Sequence, residues 1–141
     1  MRYAILILFI LLAAFACEKE NITNTTAKKL TQGNYSGTFC RDDGYNEPVV
    51  ASVNLSFSED QWSGSGEFPK YPALCHGTYS IDGDNIVFTN ECAWTAEFDW
   101  SLILSGNYEL KISGDSIEFS RLNGFDNFAS VDRYKLKKVE D

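Results

Sequence analysis

Tyr79-Ser80-Ile81-Asp82-Gly83-Asp84-Asn85-Ile86-Val87-Phe88 and Leu110-Lys111-Ile112-Ser113-Gly114-Asp115-Ser116-Ile117-Glu118-Phe119 carry one pattern twice. Each sets alternating apolar residues on both sides of a central Gly-Asp. Alternation of period two marks a half-buried strand, because successive side chains point to opposite faces. Glycine as first central residue supplies the positive φ that a two-residue type II′ turn requires. The register follows. Ile81 falls opposite Ile86 and Tyr79 opposite Phe88; Ile112 falls opposite Ile117 and Leu110 opposite Phe119. Two copies are too few for a repeat architecture and read as one hairpin solution used twice.

Extending the first register outward sets Cys75 opposite Cys92, on the face of Tyr79 and Phe88. The parity makes this a non-hydrogen-bonded pair, with Cα atoms about 4.5 Å apart. A disulfide spans that separation. A Cys75–Cys92 bridge is expected, stabilising by about 3 kcal/mol on the chain-entropy relation for so short a loop.

The same period runs through the rest of the chain from Gly33 onward. Tyr35, Gly37 and Phe39 share one face. Val49, Ala51, Val53, Leu55 and Phe57 share another, backed by Ser52, Asn54, Ser56 and Ser58. Trp62, Gly64, Gly66 and Phe68 indicate a third strand. Trp94, Ala96, Phe98, Trp100, Leu102 and Leu104 indicate a longer one, backed by Thr95, Glu97, Asp99 and Ser101. Ser105-Gly106-Asn107 fits a three-residue hairpin loop keeping Leu104 and Tyr108 on one side. No convincing helical stripe follows the N-terminal signal-like run, although residues 122–130 leave room for one helical turn. Eight or nine short strands with short connections predict an all-β, antiparallel up-and-down barrel, with a β-sandwich as the alternative. Its inner face gathers Trp62, Phe68, Tyr79, Phe88, Trp94, Phe98 and Trp100. Barrels of this size either fill with side chains or keep room for one small ligand.

Leu30-Thr31-Gln32-Gly33-Asn34-Tyr35-Ser36-Gly37 resembles the opening of lipocalin-like (calycin) domains, where Gly-x-Trp begins the first strand. Tyr35 stands in the Trp position. Such domains also pack a late basic residue across that Trp, and the resemblance assigns this part to Arg133 in Asp132-Arg133-Tyr134-Lys135-Leu136. The likeness covers residues 30–138 in plan and these two motifs in detail. It implies a barrel that holds a small apolar or amphipathic molecule.

At the other extreme, Arg2 precedes an unbroken apolar run over residues 4–16, which ends in small residues before Cys17. This is the layout of a secretory signal peptide, and the run is shorter than the roughly twenty residues of a membrane-spanning helix. The Cys at the cut resembles the lipobox of bacterial lipoproteins, whose new N-terminal Cys is lipidated. Ala14 stands where that family prefers Leu, and Phe15 where it prefers a small residue. Ala14-Phe15-Ala16 also fits ordinary signal peptidase, which would release a soluble protein. The expected division is a signal peptide over residues 1–16, a lipidated Cys17 with a polar tether over 17–31, and a barrel over 32–141. Two acyl chains already anchor firmly, at about 0.8 kcal/mol per buried methylene. Glu18-Lys19-Glu20 resembles the surface-export signal of some Gram-negative lipoproteins. The expected place is the bacterial cell envelope, at the outer membrane.

Acidic residues outnumber basic ones, 20 to 12, for a net charge of −8. This argues against a nucleic-acid partner, because phosphates need a basic footprint. Adsorption to anionic head groups is disfavoured for the same reason. Removing Cys17 to lipid leaves Cys40, Cys75 and Cys92, so Cys40 is either free or, without lipidation, a partner for Cys17.

Candidates for chemistry are few. His76 adjoins Cys75, but a disulfide-bonded Cys75 is neither nucleophile nor ligand. Glu97 and Asp99, two apart on a strand, would project together at about 7 Å, the spacing of an inverting glycosidase pair. The alternation puts them opposite the aromatics, as solvated charges. Asp42-Asp43-Gly44-Tyr45-Asn46-Glu47 is oxygen-rich yet lacks the ligand order of a calcium loop, and reads as a turn. No catalytic residue, metal or cofactor is expected. Two functional expectations follow. One is a membrane-tethered, non-enzymatic barrel that binds a small hydrophobic ligand. The other is an interaction or inhibitor lipoprotein of the cell envelope, similar in build to small lipidated barrels that inhibit lysozyme. Residues 68–74 and 122–131 would rim the barrel mouth, and the interaction reading calls for an acidic groove and a rim loop presenting Tyr71 or Tyr45 to a basic protein partner.

Overall fold

Closure of the sheet on itself organises this protein. The computed structural model describes residues 29–124 and 129–140. Its strands are β1 (Gly33–Asp42), β2 (Val50–Ser58), β3 (Gln61–Gly66), β4 (His76–Asp82), β5 (Asn85–Asn90), β6 (Gly106–Ser113), β7 (Ser116–Asn123) and β8 (Ser130–Lys138). Each pairs antiparallel with the next, and β8 returns to pair with β1. That last ladder makes an eight-stranded up-and-down barrel and removes the sandwich alternative.

Both Gly-Asp hairpins take the expected register, with Tyr79 opposite Phe88 and Leu110 opposite Phe119. Gly83 and Gly114 both have φ of 57°, the left-handed value a II′ turn places on its first central residue. Cys75 and Cys92 lie at disulfide bonding distance. Their Cα atoms stand 6.4 Å apart, wider than ladder partners, because the β4–β5 pairing stops at Gly77 opposite Asn90.

Two expected strands differ. Residues 91–105 do not form one; they leave the barrel and return, with a single 3-10 turn over Trp100–Leu102. A strand needs a free edge, and β5 gives its edge directly to β6, with Phe88 opposite Gly106. The Ser105-Gly106-Asn107 hairpin is accordingly absent, since Gly106 already opens β6, although Leu104 and Tyr108 are both buried. The third strand ends at Gly66. Phe68 lies beyond it, bridged to Tyr71 and exposed.

Two glycines allow neighbouring strands to approach closely. A Cβ on Gly37 would lie 2.0 Å from the Lys135 carbonyl oxygen, and one on Gly77 would lie 1.8 Å from that of Thr89. Thr89 O also accepts the Trp62 indole N–H at 3.2 Å. Gly77→Ala is therefore expected to destabilise by about 3 kcal/mol, the upper end of overpacking costs. Urea unfolding of the variant checks this, and an unchanged midpoint would contradict so tight a contact.

Rings fill the interior. Phe88 sits centrally, with ring centroids 5.7 Å from Trp62, 5.7 Å from Tyr108, 5.2 Å from Phe119 and 6.4 Å from Phe57. Phe119 stacks on Tyr134 at 4.5 Å, Tyr134 meets Phe39 at 4.8 Å, and Phe57 meets Tyr35 at 5.6 Å. These contacts run between strands on all sides of the barrel. Such edge-on and offset contacts add about 0.5–1.5 kcal/mol per pair beyond area burial.

Candidate functional site at the loop end

Up-and-down connectivity gives the barrel two unlike ends. Tight turns at Glu59-Asp60, Gly83-Asp84 and Gly114-Asp115 lie at one end, where the chain enters β1. Leu30, buried in the core cluster, precedes that entry, and Thr31 O accepts the Tyr35 hydroxyl at 2.8 Å. The long connections over residues 43–49, 67–75 and 91–105 lie at the opposite end, where β7 ends and β8 begins.

At the loop end the inward parity of the strands turns from aromatic to charged. Arg41 follows Phe39, Arg121 follows Phe119, and Asp132 precedes Tyr134, each two residues away on the same face. Asp132 is 1% exposed. Arg41 donates to it twice, from Nε to Oδ1 at 2.6 Å and from Nη2 to Oδ2 at 2.8 Å. Arg121 Nη2 and Asn123 Nδ2 also donate to Oδ2, at 3.3 Å and 2.8 Å. The two guanidinium groups then reach outward. Arg41 donates to Asp99 Oδ2 at 2.8 Å and to Ser101 Oγ and O, while Arg121 donates to Ser101 O at 2.7 Å and Ser105 O at 2.5 Å. Arg121 also lies 4.6 Å over the Tyr108 ring. Residues 99–105 are thereby fastened across this end of the barrel. Ser101 hydrogen bonds, reinforced by the Arg41 charge against a desolvation penalty, hold the Asp99 carboxyl below the usual carboxylate range.

The loops also tie to each other. Tyr71 Oη donates to Val49 O at 3.0 Å, and its ring meets Phe39 at 5.2 Å. Lys70 Nζ donates to Thr95 Oγ1 at 2.9 Å and lies 4.9 Å over the Phe98 ring. Within residues 42–47, Asp43 Oδ1 accepts the Asn46 and Tyr45 amides at 2.9 Å and 3.0 Å, as the turn reading expected. Those amides, with the Asn46 side chain, lower the Asp43 carboxyl to about 2. Tyr45 lies in this hydrogen-bonded turn, 75% exposed. Val49, Phe68, Trp100 and Leu122 are exposed at the same end.

The sequence-predicted residues divide accordingly. Trp62 and Phe88 are buried inside and Tyr79 is half-buried against Phe57. Trp94, Phe98 and Trp100 are not on the inner face. Trp94 and Phe98 are half-buried and meet each other at 5.6 Å on the 91–105 excursion; Trp100 is 57% exposed, with its indole donating to Thr95 O. Phe68 joins them outside. Comparison with family models, curated proteins and solved structures finds no match. The functional reading rests on the barrel itself.

Arg133 does not cross the first-strand aromatic. It faces outward, with Nε 3.7 Å from Glu118, because its neighbours Asp132 and Tyr134 take the inward parity. The arginine that does cover an inner ring is Arg121. Glu97 and Asp99 are not a strand pair; Glu97 is exposed in the excursion, and Asp99 caps the 3-10 turn by accepting the Ser101 amide. Cys40 is free and half-buried. Cys17 lies outside the described residues. Arg41, Arg121 and Asp132 had a legible signal, a charged residue on inward parity just beyond an aromatic, on three strands.

Proposed function

We propose that this protein is a non-enzymatic lipoprotein of the cell envelope that binds a basic protein partner with the loop end of its barrel. The observation that carries this reading is polarity of the fold. A tether from a lipidated Cys17 would join the barrel at the turn end, leaving the loop end turned away from the membrane. That end carries the exposed aromatic and apolar residues Tyr45, Phe68, Trp100 and Leu122. Asp43, Glu47, Glu67, Glu91 and Glu97 lie in the same loops, while Arg41 and Arg121 are engaged by Asp132 and Ser101, and Lys70 by Thr95 and Phe98. Aromatic anchors within an acidic rim match a basic surface and would give salt-sensitive association. A small ligand inside the barrel would have to displace rings already in mutual contact, so the loop reading has the stronger support.

Capture from envelope extract by the lipidated full chain tests it. Tyr45→Ser combined with Trp100→Ser is expected to weaken capture of a basic protein by about tenfold or more, the scale of an aromatic hot spot. Added salt should weaken it further. Undiminished capture by the double variant, or uptake of a lipid-like fluorophore by the wild-type barrel, would count against it.

A further inference from the structure

We propose that Cys75, Cys92 and His76 are three ligands of a latent zinc-type metal site, masked by the disulfide and opened when a dithiol reduces it. This inference is independent of the partner-binding reading. His76 opens β4, Cys75 precedes it, and Cys92 lies just past β5. In a continuing strand, residues 75 and 76 would point to opposite faces. Here the β4–β5 ladder ends at Gly77 opposite Asn90, although His76 still pairs with Ser63 of β3, and the His76 ring returns to the sulfurs. Its Nδ1 lies 3.3 Å from Cys75 Sγ and 3.3 Å from Cys92 Sγ. The three ligand atoms all lie within 4.8 Å of one another.

Tetrahedral zinc, with Zn–S of about 2.3 Å and Zn–N of about 2.0 Å, sets nitrogen and sulfur ligands about 3.5 Å apart and two sulfurs about 3.8 Å apart. Both nitrogen–sulfur distances are therefore close to those a metal needs. Only the two sulfurs must separate, which Cα atoms 6.4 Å apart permit. The backbone is held independently of the disulfide, since the Glu91 amide donates to His76 O at 3.1 Å and the Cys92 amide to Asn90 Oδ1 at 3.0 Å. His76 is exposed, so a fourth position opens to solvent. The chemistry balances. The dithiol supplies two electrons and two protons, its own sulfurs close to a disulfide, and the Cys75–Cys92 bond becomes two thiols. Metal binding then releases those two protons to solvent, while neutral His76 contributes the Nδ1 lone pair.

The test uses the full chain, reduced with dithiothreitol, freed of it under anaerobic conditions, and titrated with cobalt(II). One equivalent should bind with thiolate-to-cobalt charge-transfer absorption, and zinc should displace it. The oxidised chain should show neither signal. His76→Ala is expected to weaken cobalt binding at least about tenfold, as loss of even an outer-shell partner can. Cys92→Ser should abolish the one-equivalent signal. Cys40 remains in every variant, as does Cys17 where it is not lipidated, so a signal that survives both substitutions would belong to them and overturn the assignment. Near-ultraviolet circular dichroism before metal addition should keep its native form. Its collapse on reduction, or a folded reduced chain that takes no cobalt, would also overturn the proposal.

Discussion

Asp132→Ala should lower stability by about 3–5 kcal/mol, the cost of removing one partner from a buried ionic cluster. Its carboxylate is almost wholly enclosed and accepts from Arg41 twice, Arg121 and Asn123. Without it, Arg121 loses its carboxylate and Arg41 keeps only the exposed Asp99, while both guanidinium groups stay largely covered at the loop end; Arg41 and Arg121 side chains are only 15% and 20% exposed. Repulsion and desolvation then act together. Because the same arginines hold Ser101 and Ser105, residues 99–105 should loosen before the barrel unfolds, giving faster amide exchange there. Replacing Arg41, Arg121 and Asp132 together by apolar residues of similar volume should recover most of the loss, since no buried charge is then left unpaired. Chemical denaturation of the single and triple variants decides it. A single-variant cost under about 1 kcal/mol would show that this cluster does not hold the barrel end.

Phe88→Ala should cost a similar amount, about 3–5 kcal/mol, through lost transfer energy and the cavity left behind. The size of the effect follows from position. Phe88 is 1% exposed and touches the rings of Trp62, Phe57, Tyr79, Tyr108 and Phe119, so no single neighbour can collapse into its place. The resulting apolar void should accept a small aromatic such as benzene, as dry engineered cavities do. Ligand at a hundredfold excess over its dissociation constant would return about 2.7 kcal/mol. The wild-type barrel should show no such ligand-dependent shift. If wild type is stabilised equally, its interior already holds room for a guest, and the lipocalin-type reading gains over the loop reading.

The hairpin registers were legible because parity in a strand is strict. One Gly-Asp turn fixes every pair outward from it, and Cys75 with Cys92 follows from that ladder even though the ladder itself stops at Gly77 opposite Asn90. Residues 94–104 show the limit of the same rule. Their alternation is as regular as that of β2, yet it records amphipathic character and not pairing. An alternating segment becomes a strand only where an edge is free, and β6 takes the edge of β5. Four of the seven expected inner aromatics, Phe68, Trp94, Phe98 and Trp100, were misplaced for that reason or because β3 ended at Gly66. Arg133 was misassigned by resemblance, where counting parity from Tyr134 would have sent it outward.

Local order in the chain was enough to specify the two Gly-Asp hairpins, the inward faces of β1 and β2 and the cysteine pair, since each depends on neighbours a few residues apart. The loop-end cluster was decided by closure alone. Arg41 and Asp132 are separated by 91 positions and meet only because β8 pairs with β1. A charge on inward parity is unfavourable until its counter-charge arrives from a distant strand. Whether Arg41, Arg121 and Asp132 are buried or solvated is therefore a property of the closed cylinder, and no stretch of sequence contains it.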